Sequence, residues 1–345
     1  MKILITGGAG FVGSHAAEYF ANKGNEVICY DNLSRAELLK KESIDITYNW
    51  NYLKNIRNVT LIKGDVKDLE KLKDAAKGAD TIIHTAAQTA VTTSVVDPKT
   101  DFEVNALGTF NMLEAARAND VEKVVYCSTN KVYGDNVNKI KVIEKEKRYV
   151  FEDKFKNGIQ ESFSTDICEH TPYGCSKFTG DIYSQDYGHS YGLKTGVFRM
   201  SCIYGIRQFG VEDQGWVAWF TIATILGKPI TIYGDGKQVR DVLYVEDLVK
   251  AYDTFLTSNR SAVFNAGGGA LNTMSLLELL DILKDLTGKS STINFADWRP
   301  SDQKVYISDI SKAKKALKWE PKIDPREGVK RLVNWVEKNK DILKS

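Results

Sequence analysis

The sequence predicts an α/β protein whose core is a doubly wound parallel sheet, and three observations carry this prediction. The chain opens on a short apolar strand, Lys2 to Thr6, which runs directly into a glycine-rich turn. Apolar strands then alternate with segments of helical periodicity, which is the pattern of βα units in a parallel sheet. Near residue 200 this alternation is lost, so we expect a domain over 1–200 and a smaller α/β lobe over 201–345. Some segments of the second part are expected to return to the first.

Each predicted element follows from its local pattern. Short apolar runs that end at polar or glycine residues predict strands, and apolar residues at every third or fourth position predict helices. The predicted strands are Lys2–Thr6, Glu26–Tyr30, Val59–Lys63, Thr81–His84, Val121–Cys127 and Lys194–Met200. The predicted helices are Ser14–Phe20, Leu69–Ala76, Asp101–Ala118, Tyr173–Tyr191, Trp216–Leu226, Asp247–Leu256 and Leu276–Leu286. Ile230 to Val245 is predicted to form paired strands around a turn at Asp235-Gly236.

The composition excludes several classes of function. A net charge of +2 leaves no basic footprint for nucleic acid. No apolar run approaches the ~20 residues that a membrane-spanning helix needs, and the N-terminal residues do not resemble a signal peptide. The five cysteines lack CxxC spacing, which predicts reduced thiols in a cytoplasmic protein and no metal site.

The glycine-rich turn predicts a dinucleotide site. Gly7, Gly8, Gly10 and Gly13 stand between the first strand and the first helix. Such glycines permit a tight turn, a close approach of the backbone to a pyrophosphate, and close packing of helix on strand. Asp31 follows at the end of the second strand, where a carboxylate can hold ribose hydroxyls. The alternative, a turn without a ligand, does not account for the acid at that position.

A second constellation predicts acid–base chemistry on a hydroxyl group. Tyr173 and Lys177 are four residues apart, so they share one face of a helix. A lysine beside a positive nicotinamide ring favours the phenolate form of the tyrosine, which can then act as a base. Thr129, at the end of the fifth strand, can bond the same substrate hydroxyl. This spacing by itself is common, and a surface pair is the alternative.

Together, Thr6-Gly7-x-x-Gly10-x-x-Gly13, Thr129 and Tyr173-x-x-x-Lys177 resemble the extended short-chain dehydrogenase/reductase family, the NAD-dependent epimerases and dehydratases of nucleotide sugars. The resemblance covers essentially the whole chain and implies a Rossmann domain that binds NAD. It implies that Tyr173 is the catalytic base, Lys177 its electrostatic partner and Thr129 a third catalytic residue. The cofactor-binding residues that it implies are Gly7, Gly10, Phe11, Val12, Gly13, Asp31, Asn32, Ser34, Arg35, Asp65, Val66, Thr85, Ala86, Ala87, Gln88, Asn105, Tyr173, Lys177 and Met200.

The same resemblance implies a nucleotide-sugar site that includes the second half of the chain. Its substrate-binding residues are Thr129, Asn130, Arg207, Gln208, Phe209, Trp216, Arg240 and Arg299. Two arginines suit a diphosphate because each offers a planar fork of donors, although structural ion pairs are the alternative. Trp216 offers a flat face to a base, but it can equally belong to the buried stripe of a helix.

Within the family, stretches such as Ser128 to Gly134 and Ser164 to Lys177 are similar to CDP-sugar 2-epimerases. This implies an NAD-dependent epimerase that oxidises its sugar transiently to a keto-sugar and reduces it again. A UDP-sugar 4-epimerase is the main alternative because it uses the same threonine, tyrosine and lysine. A 4,6-dehydratase is less favoured, since Asn130-Lys131 stand where dehydratases carry an acidic pair. A non-catalytic NAD-sensing protein is a further alternative.

Two departures bear on the sugar: the charged segment Leu33 to Asn55 is longer than expected, and Met200 stands where the family often has histidine. Asp31 favours NAD over NADP, with Arg35 as the counter-argument.

The family pairs helices into homodimers or homotetramers, which here implies Asp101–Ala118 and Tyr173–Tyr191 as the interface. The second helix carries Phe178, Tyr183, Tyr187 and Tyr191 as candidate interface aromatics.

Overall fold

The structure is a computed structural model that describes residues 1–38, 47–258, 260–299 and 302–344. Its strands are β1 Lys2–Thr6, β2 Glu26–Asp31, β3 Val59–Lys63, β4 Thr81–His84, β5 Lys123–Thr129, β6 Val142–Glu144, β7 Tyr149–Phe151, β8 Lys194–Met200, β9 Cys202–Tyr204, β10 Ile230–Tyr233, β11 Val239–Tyr244, β12 Ala262–Ala266, β13 Thr273–Ser275, β14 Ile293–Ala296 and β15 Val305–Tyr306. Its α-helices are α1 Phe11–Asn22, α2 Arg35–Leu38, α3 Tyr48–Leu53, α4 Leu69–Ala75, α5 Val91–Val96, α6 Pro98–Phe102, α7 Gly108–Ala118, α8 Thr171–Ser190, α9 Trp216–Leu226, α10 Val245–Leu256, α11 Leu276–Thr287, α12 Ser311–Leu317, α13 Pro325–Lys338 and α14 Lys340–Leu343.

A seven-stranded sheet forms the core of the first part of the chain. Its strand order is β12-β8-β5-β4-β1-β2-β3. The central pairs β1–β2, β1–β4, β2–β3 and β4–β5 are parallel. From β1, the strands β2 and β3 are added on one side and β4 and β5 on the other, so the strand order changes direction between β1 and β4. Open α/β sheets bind ligands at positions of this kind. The predicted doubly wound parallel sheet is confirmed.

The strands are apolar because both faces of this sheet are covered. Ile3, Leu4 and Ile5 of β1 are fully buried, as are Ile82 and Ile83 of β4. Burial of an aliphatic side chain stabilises the fold by about 1.5–3 kcal/mol. A strand that is buried on both faces reads as a continuous apolar run, which is why these short segments stand out in the sequence.

Contacts within the chain divide it into two compact units. Unit 1 comprises residues 1–132, 171–199 and 249–264, and unit 2 comprises 133–170, 200–248 and 265–345. A single boundary after residue 200 does not describe this division. Residues 133–170 belong to unit 2 because their partners lie there: the Asn265 side-chain amide donates to Ile159, for example. The segment 249–264 belongs to unit 1.

One local prediction was wrong, and one predicted helix contains an irregular turn. Residues 230–245 do not form a hairpin: β10 pairs with β14, while β11 pairs with β9, β13 and β15. Gly234 and Gly236 adopt left-handed conformations (φ +92° and +79°), and the two strands that they separate join different sheets. The predicted helix Asp101–Ala118 is divided by a π-helical turn over Glu103–Leu107, between α6 and α7. Of the charged segment Leu33 to Asn55, residues 39–46 lie outside the described residues.

Among the residues described, no helix is both long and apolar enough to cross a membrane.

Candidate active site

The glycine-rich turn is tightly packed at the carboxyl end of β1. Gly7 adopts a left-handed conformation (φ +68°), and a Cβ there would lie 2.6 Å from the backbone nitrogen of Ala86. A Cβ on Gly13 would lie 2.2 Å from the carbonyl oxygen of Gly7. Gly10 is the N-cap of α1, and Phe11 and Val12 follow in the first turn. The first turn of a helix presents N–H groups that lack intrahelical partners, which suits a pyrophosphate. The turn therefore fits a dinucleotide.

Asp31 connects this turn to the end of β2. Its Oδ2 accepts a bond from the Ala9 N–H at 2.9 Å, and its Oδ1 accepts one from the Leu33 N–H at 2.8 Å. Burial raises the pKa of Asp31, and these backbone donors oppose the rise. A carboxylate offers about four lone-pair sites. Asp31 therefore retains acceptor capacity for ribose hydroxyls.

The predicted adenosine contacts lie together at the ends of β2 and β3. The Asn32 amide donates to the Asp65 carboxylate at 3.0 Å, and the Ser34 hydroxyl donates to Asn32 at 2.7 Å. Val66 is buried beside Asp65. Arg35 begins the short helix α2, and burial lowers its pKa to about 10. Hydrogen bonds thus fix the Asn32, Ser34 and Asp65 side chains in the protein alone.

The loop after β4 packs under the glycine turn. Thr85 Oγ1 donates to the Thr6 carbonyl at 2.8 Å, and Ala86 and Ala87 follow it. Gln88 and Asn105 are expected to contact the cofactor, and both side chains are buried. The Gln88 side chain bonds Ala90 and Asp101, and the Asn105 side chain bonds the Gln88 backbone. The Asn105 Oδ1 accepts from the Gln88 N–H at 2.8 Å, and the Asn105 amide donates to the Gln88 carbonyl at 3.0 Å. Their observed contacts support the loop.

Thr129, Tyr173 and Lys177 are brought together in unit 1. Thr129 ends β5, and its hydroxyl lies beside the Tyr173 phenol, whose pKa it lowers. Tyr173 lies in the first turn of α8, and its backbone N–H donates to Ser94 Oγ at 3.1 Å. Lys177 is buried one turn later, with its Nζ 4.4 Å from the centre of the Tyr126 ring. A strand end and a helix start thus position the predicted group.

Burial has the largest effect on the pKa values of Tyr173 and Lys177. It raises the pKa of Tyr173 to about 12, an effect that the Thr129 hydroxyl opposes and the Asp101 charge reinforces. Burial also lowers the pKa of Lys177 to about 8, while Cys127 and the carboxylates of Asp101 and Asp181 raise it. We expected the lysine to favour the phenolate. In the protein alone, desolvation has the largest effect on the pKa of Tyr173, and the neighbour that lowers this pKa is Thr129.

The two predicted diphosphate arginines lie in unit 2, and each pairs with a carboxylate. Arg240, on β11, donates to Asp302 Oδ1 at 2.6 Å and to the Gln303 carbonyl at 2.6 Å. Arg299 donates to Asp213 Oδ1 at 3.0 Å, and its guanidinium lies 4.1 Å from the centre of the Tyr233 ring. Pro300 and Ser301 of the same motif lie outside the described residues. The structural ion pairs considered from the sequence are therefore present.

Several of the predicted base-binding residues of unit 2 already contact other residues of the protein. Arg207 is buried and holds a left-handed backbone (φ +59°), a conformation that is costly for a residue other than glycine. The buried amide of Gln208 donates to the Ile203 carbonyl at 3.3 Å. Trp216 begins α9 and is half-buried, and its Nε1 donates to Cys202 Sγ at 3.2 Å. The Phe209 ring packs edge-on against Trp335, with centroids 5.8 Å apart.

Comparisons with known proteins fit this arrangement. The sequence pattern of the family described as GDP-mannose 4,6 dehydratase matches residues 4–332. A CDP-paratose 2-epimerase from Salmonella typhi is 42% identical, over 97% of this chain and 99% of that protein. The chain belongs to this family of NAD-dependent epimerases and dehydratases.

Solved structures of epimerases share the fold. A UDP-glucose 4-epimerase from Thermus thermophilus, in complex with NAD, has a TM-score of 0.80 and 32% identity over 98% of this chain and 99% of that chain. A UDP-glucuronic acid 4-epimerase from Bacillus cereus, in complex with UDP-glucuronic acid and NAD, has a TM-score of 0.82 and 27% identity over 98% of this chain and 100% of that chain. The resemblance drawn from the sequence is confirmed.

The epimerase/dehydratase family contains two chemistries, and the residues after Thr129 bear on the choice. Asn130 is buried, and its Oδ1 accepts a bond from the Thr129 hydroxyl at 3.3 Å. The Lys131 N–H donates to Thr129 Oγ1 at 3.2 Å. Neither side chain supplies the carboxylate that elimination of water requires.

Met200, a predicted cofactor contact, ends β8 and is half-buried.

Sequence reasoning missed the buried carboxylates that support α8. Asp181 accepts bonds from Ser128 Oγ at 2.6 Å and from Arg199 Nε at 3.0 Å, and is fully buried. Asp101 accepts a bond from Ser176 Oγ at 2.5 Å and is also fully buried. Asp181 stands four residues after Lys177, on the same helix face, and this spacing was the available signal.

Proposed function

We propose that this chain is an NAD-dependent nucleotide-sugar epimerase that inverts C2 of a CDP-sugar, as a CDP-paratose 2-epimerase does. The observation that carries the proposal is the Thr129–Tyr173–Lys177 group, in a chain 42% identical to a CDP-paratose 2-epimerase over 97% of its length. The phenol with a hydroxyl beside it and the buried lysine suit the removal of a proton from a sugar hydroxyl.

Within this proposal, the chain's own residues manage the proton. Tyr173 takes the proton from the reacting hydroxyl, and Thr129 bonds the same hydroxyl. Lys177 contributes positive charge beside the developing phenolate. NAD, when bound, would supply a hydride acceptor for the sugar carbon and, in its reduced form, the hydride donor for the opposite face. The protein must therefore keep solvent away from the carbon while the sugar reorients.

Gly7, Gly10 and Gly13, with the first turn of α1, are proposed to hold the pyrophosphate of NAD. Asp31 is proposed to bond the adenosine ribose and to exclude a 2′-phosphate by like charge. Arg35 could neutralise such a phosphate, so a titration of the enzyme with NAD and with NADP tests the point. Tighter binding of NADP would overturn the assignment.

The remaining implied contacts follow the resemblance. Asn32, Ser34 and Asp65 are proposed to hold the adenosine, and the loop that begins at Thr85 is proposed to lie beneath the cofactor. Met200, at the end of β8, completes the proposed cofactor contacts. Asn105 is proposed to act through the Gln88 segment that it bonds.

Arg240 and Arg299 are proposed to bind the diphosphate of the nucleotide sugar. Each guanidinium already bonds a carboxylate, Asp302 and Asp213 respectively, so the diphosphate must share or replace these acceptors. A bidentate guanidinium offers enough donors for both. By the resemblance, the base-binding part of the same site is proposed to comprise Arg207, Gln208, Phe209 and Trp216.

A UDP-sugar 4-epimerase is the second candidate, because two structures with TM-scores of 0.80 and 0.82 are UDP-sugar 4-epimerases. The same three residues would serve it, since only the ring carbon that faces the cofactor differs. The identity of 42% to a CDP-paratose 2-epimerase favours the CDP-sugar. Incubation with CDP-paratose, UDP-glucose and UDP-glucuronic acid separates the candidates by the product that forms. Turnover of a UDP-sugar alone would overturn the first.

The reaction route is tested by running the epimerisation in deuterated water. Transient oxidation returns the same hydrogen to the carbon, so the inverted carbon should carry no deuterium. Deuterium at that carbon would mean deprotonation at carbon and would rule out the oxidative route. This readout depends only on product analysis and does not require that the catalytic residues be known.

We infer that the enzyme is a homodimer, formed by the outer faces of two neighbouring helical segments of unit 1. One segment runs through α6, the π-helical turn and α7, and the other is α8. Their exposed apolar side chains are Phe102, Leu107, Phe110, Ile182, Tyr183 and Tyr191. The occupant is a second copy of this chain, since one apolar face of this kind can cover its symmetry mate. Tyr187, in contrast, is buried and bonds Glu114, so it belongs to the core.

A cytoplasmic location is proposed on the cysteines. None of the five forms a disulfide, and two of them, Cys29 and Cys127, are buried. Cysteines that form no disulfide are typical of a reducing compartment.

A further inference from the structure

A buried polar cluster lies directly behind the first turn of α8. Asp101, the fourth residue of α6, is fully buried, as is Asn105, while Ser176 and Gln88 are nearly so. Asp101 Oδ2 accepts from Ser176 Oγ at 2.5 Å, and Oδ1 accepts from Gln88 Nε2 and Asn105 Nδ2, both at 3.1 Å. A single carboxylate therefore ties the loop after β4 and the π-helical turn to α8.

The hydroxyl that Asp101 holds lies between the two proposed catalytic residues. Ser176 immediately precedes Lys177, and its Oγ lies 3.1 Å from the Tyr173 carbonyl oxygen. The backbone of Tyr173 is also held by Ser94. A shift of Ser176 would therefore carry both catalytic side chains with it.

Several titratable groups among the described residues face this cluster. Lys177 and Tyr173 face Asp101 from α8, and Asp97 faces it from the N-cap of its own helix. Lys177 is faced in turn by Cys127 of β5, Asp181 of α8 and His84 of β4. Burial lowers the pKa of His84 to about 3, so this imidazole adds no charge near neutral pH.

We propose that the Asp101 carboxylate is a positioning residue for the Tyr173–Lys177 pair: it fixes the first turn of α8 through Ser176 and supplies buried negative charge that keeps Lys177 protonated. This inference rests on the proposed function, in which Lys177 acts as a cation. A buried lysine is costly to charge in a low-dielectric interior, and a nearby carboxylate offsets that cost. Burial raises the pKa of Asp101 itself to about 6, so the carboxylate is ionised at neutral pH.

Asp101→Asn is a clean test because an amide can replace the carboxylate in the network. Its oxygen accepts from the Gln88 and Asn105 amides as before. Its new N–H₂ group donates to Ser176 Oγ, which then donates to the Tyr173 carbonyl that already lies 3.1 Å away. The bonds to Gln88, Asn105 and Ser176 are kept and the charge is removed, while the second N–H of the new amide gains no acceptor in this network.

The first readout is the titration of Lys177 itself, measured by NMR of the lysine ε-carbon and assigned by its loss in Lys177→Met. In the wild-type enzyme this lysine should titrate near the pKa of about 8 that burial gives it. Asp101→Asn should lower that pKa by about one pH unit, because one of the charges that oppose desolvation is gone. Glu103→Gln is the matched control: it removes a half-exposed carboxylate two residues away and should leave the titration unmoved.

The second readout is the pH profile of epimerisation. The alkaline limb of kcat should move to lower pH by about one unit in Asp101→Asn, with little change in KM, since Asp101 is fully buried. An unchanged Lys177 titration, with only stability altered, would overturn the inference and leave Asp101 a structural residue. A wild-type enzyme with no epimerase activity would overturn the proposed function instead, and the lysine titration would still decide the charge coupling.

Discussion

Desolvation has the largest effect on the pKa values of single residues in the candidate site, and Tyr173 is an example. Its pKa of about 12 means that the phenol is protonated at neutral pH in the protein alone. The Thr129 hydroxyl favours the phenolate, but positive charge is needed as well, which Lys177 and the nicotinamide ring of NAD are proposed to supply. In the proposed mechanism, Tyr173 therefore acts as a base only when the cofactor is in place.

Replacing the phenol should therefore remove turnover and leave binding intact. Tyr173→Phe is expected to lower kcat by about 10²–10⁴-fold, the usual contribution of a general base, with little change in KM. Steady-state kinetics with CDP-paratose measure both constants. Tyr183→Phe makes the same change on an exposed face of α8 and should be neutral. Equal losses in the two variants would contradict the assignment, and Thr129→Ala should fall between them.

Asp101 also predicts how stability depends on pH. Burial raises its pKa from 3.8 to about 6 in the folded state, so between these values the folded chain binds more protons than the unfolded chain. The free energy of unfolding should accordingly fall as pH rises through this window, by up to roughly 3 kcal/mol from this group. Urea unfolding at several pH values measures the slope. Asp101→Asn should flatten it, and an identical slope in the variant would contradict the prediction.

At the scale of elements, α8 is held in place by buried charge as well as by apolar packing. Asp181 bonds Ser128 of β5 and Arg199 of β8, so a single carboxylate links the helix to two strands of the central sheet. Both members of the Arg199–Asp181 pair are nearly inaccessible to solvent. Such pairs stabilise little relative to apolar packing but are costly to break.

Asp181→Asn should lower the free energy of unfolding by about 3 kcal/mol or more, because it leaves the Arg199 charge buried without its carboxylate. Denaturant titration monitors the change. Asp285→Asn removes the partner of Arg326 in a pair whose side chains are both more than half exposed, and its effect should stay within about 1 kcal/mol. A comparable loss in the two variants would show that burial of the pair does not matter.

Elements with a strong local signal were predictable from the sequence, and those defined by distant partners were not. Several strands of the central sheet agree because apolar runs between polar turns identify them without knowledge of their neighbours. The predicted hairpin over 230–245 failed because β10 and β11 find their partners far along the chain. Asp101 and Asp181 were missed for a related reason: a carboxylate on a helix looks like a surface residue until tertiary packing buries it.

At the scale of the whole molecule, the proposed dimer depends on apolar residues that unit 1 leaves exposed on α7 and α8. Phe110 and Tyr183 already pack edge-to-face across these helices, with ring centroids 5.9 Å apart, so they form one continuous apolar face. A second copy would cover that face, in the way that symmetric interfaces cover themselves.

A charge in this face should separate the subunits. Ile182→Glu is expected to convert the dimer to a monomer at micromolar concentration, because a carboxylate would be buried against its symmetry mate. Light scattering and sedimentation measure the mass. Leu271→Glu places the same charge at a side chain of unit 2 that is 95% exposed and should leave the mass unchanged. A wild-type monomer would contradict the proposed assembly.

The packing around the glycine turn indicates which of its glycines a diverging relative would lose first. Gly7 and Gly13 are required by the fold itself, since a Cβ at either would strike backbone within 2.6 Å. A descendant that no longer bound a dinucleotide would still keep both. Gly10 is less constrained, because its Cβ would meet only the Gly7 carbonyl oxygen, at 3.0 Å. Among related chains, replacement of the glycine at position 10 would therefore be the earlier mark of an abandoned cofactor.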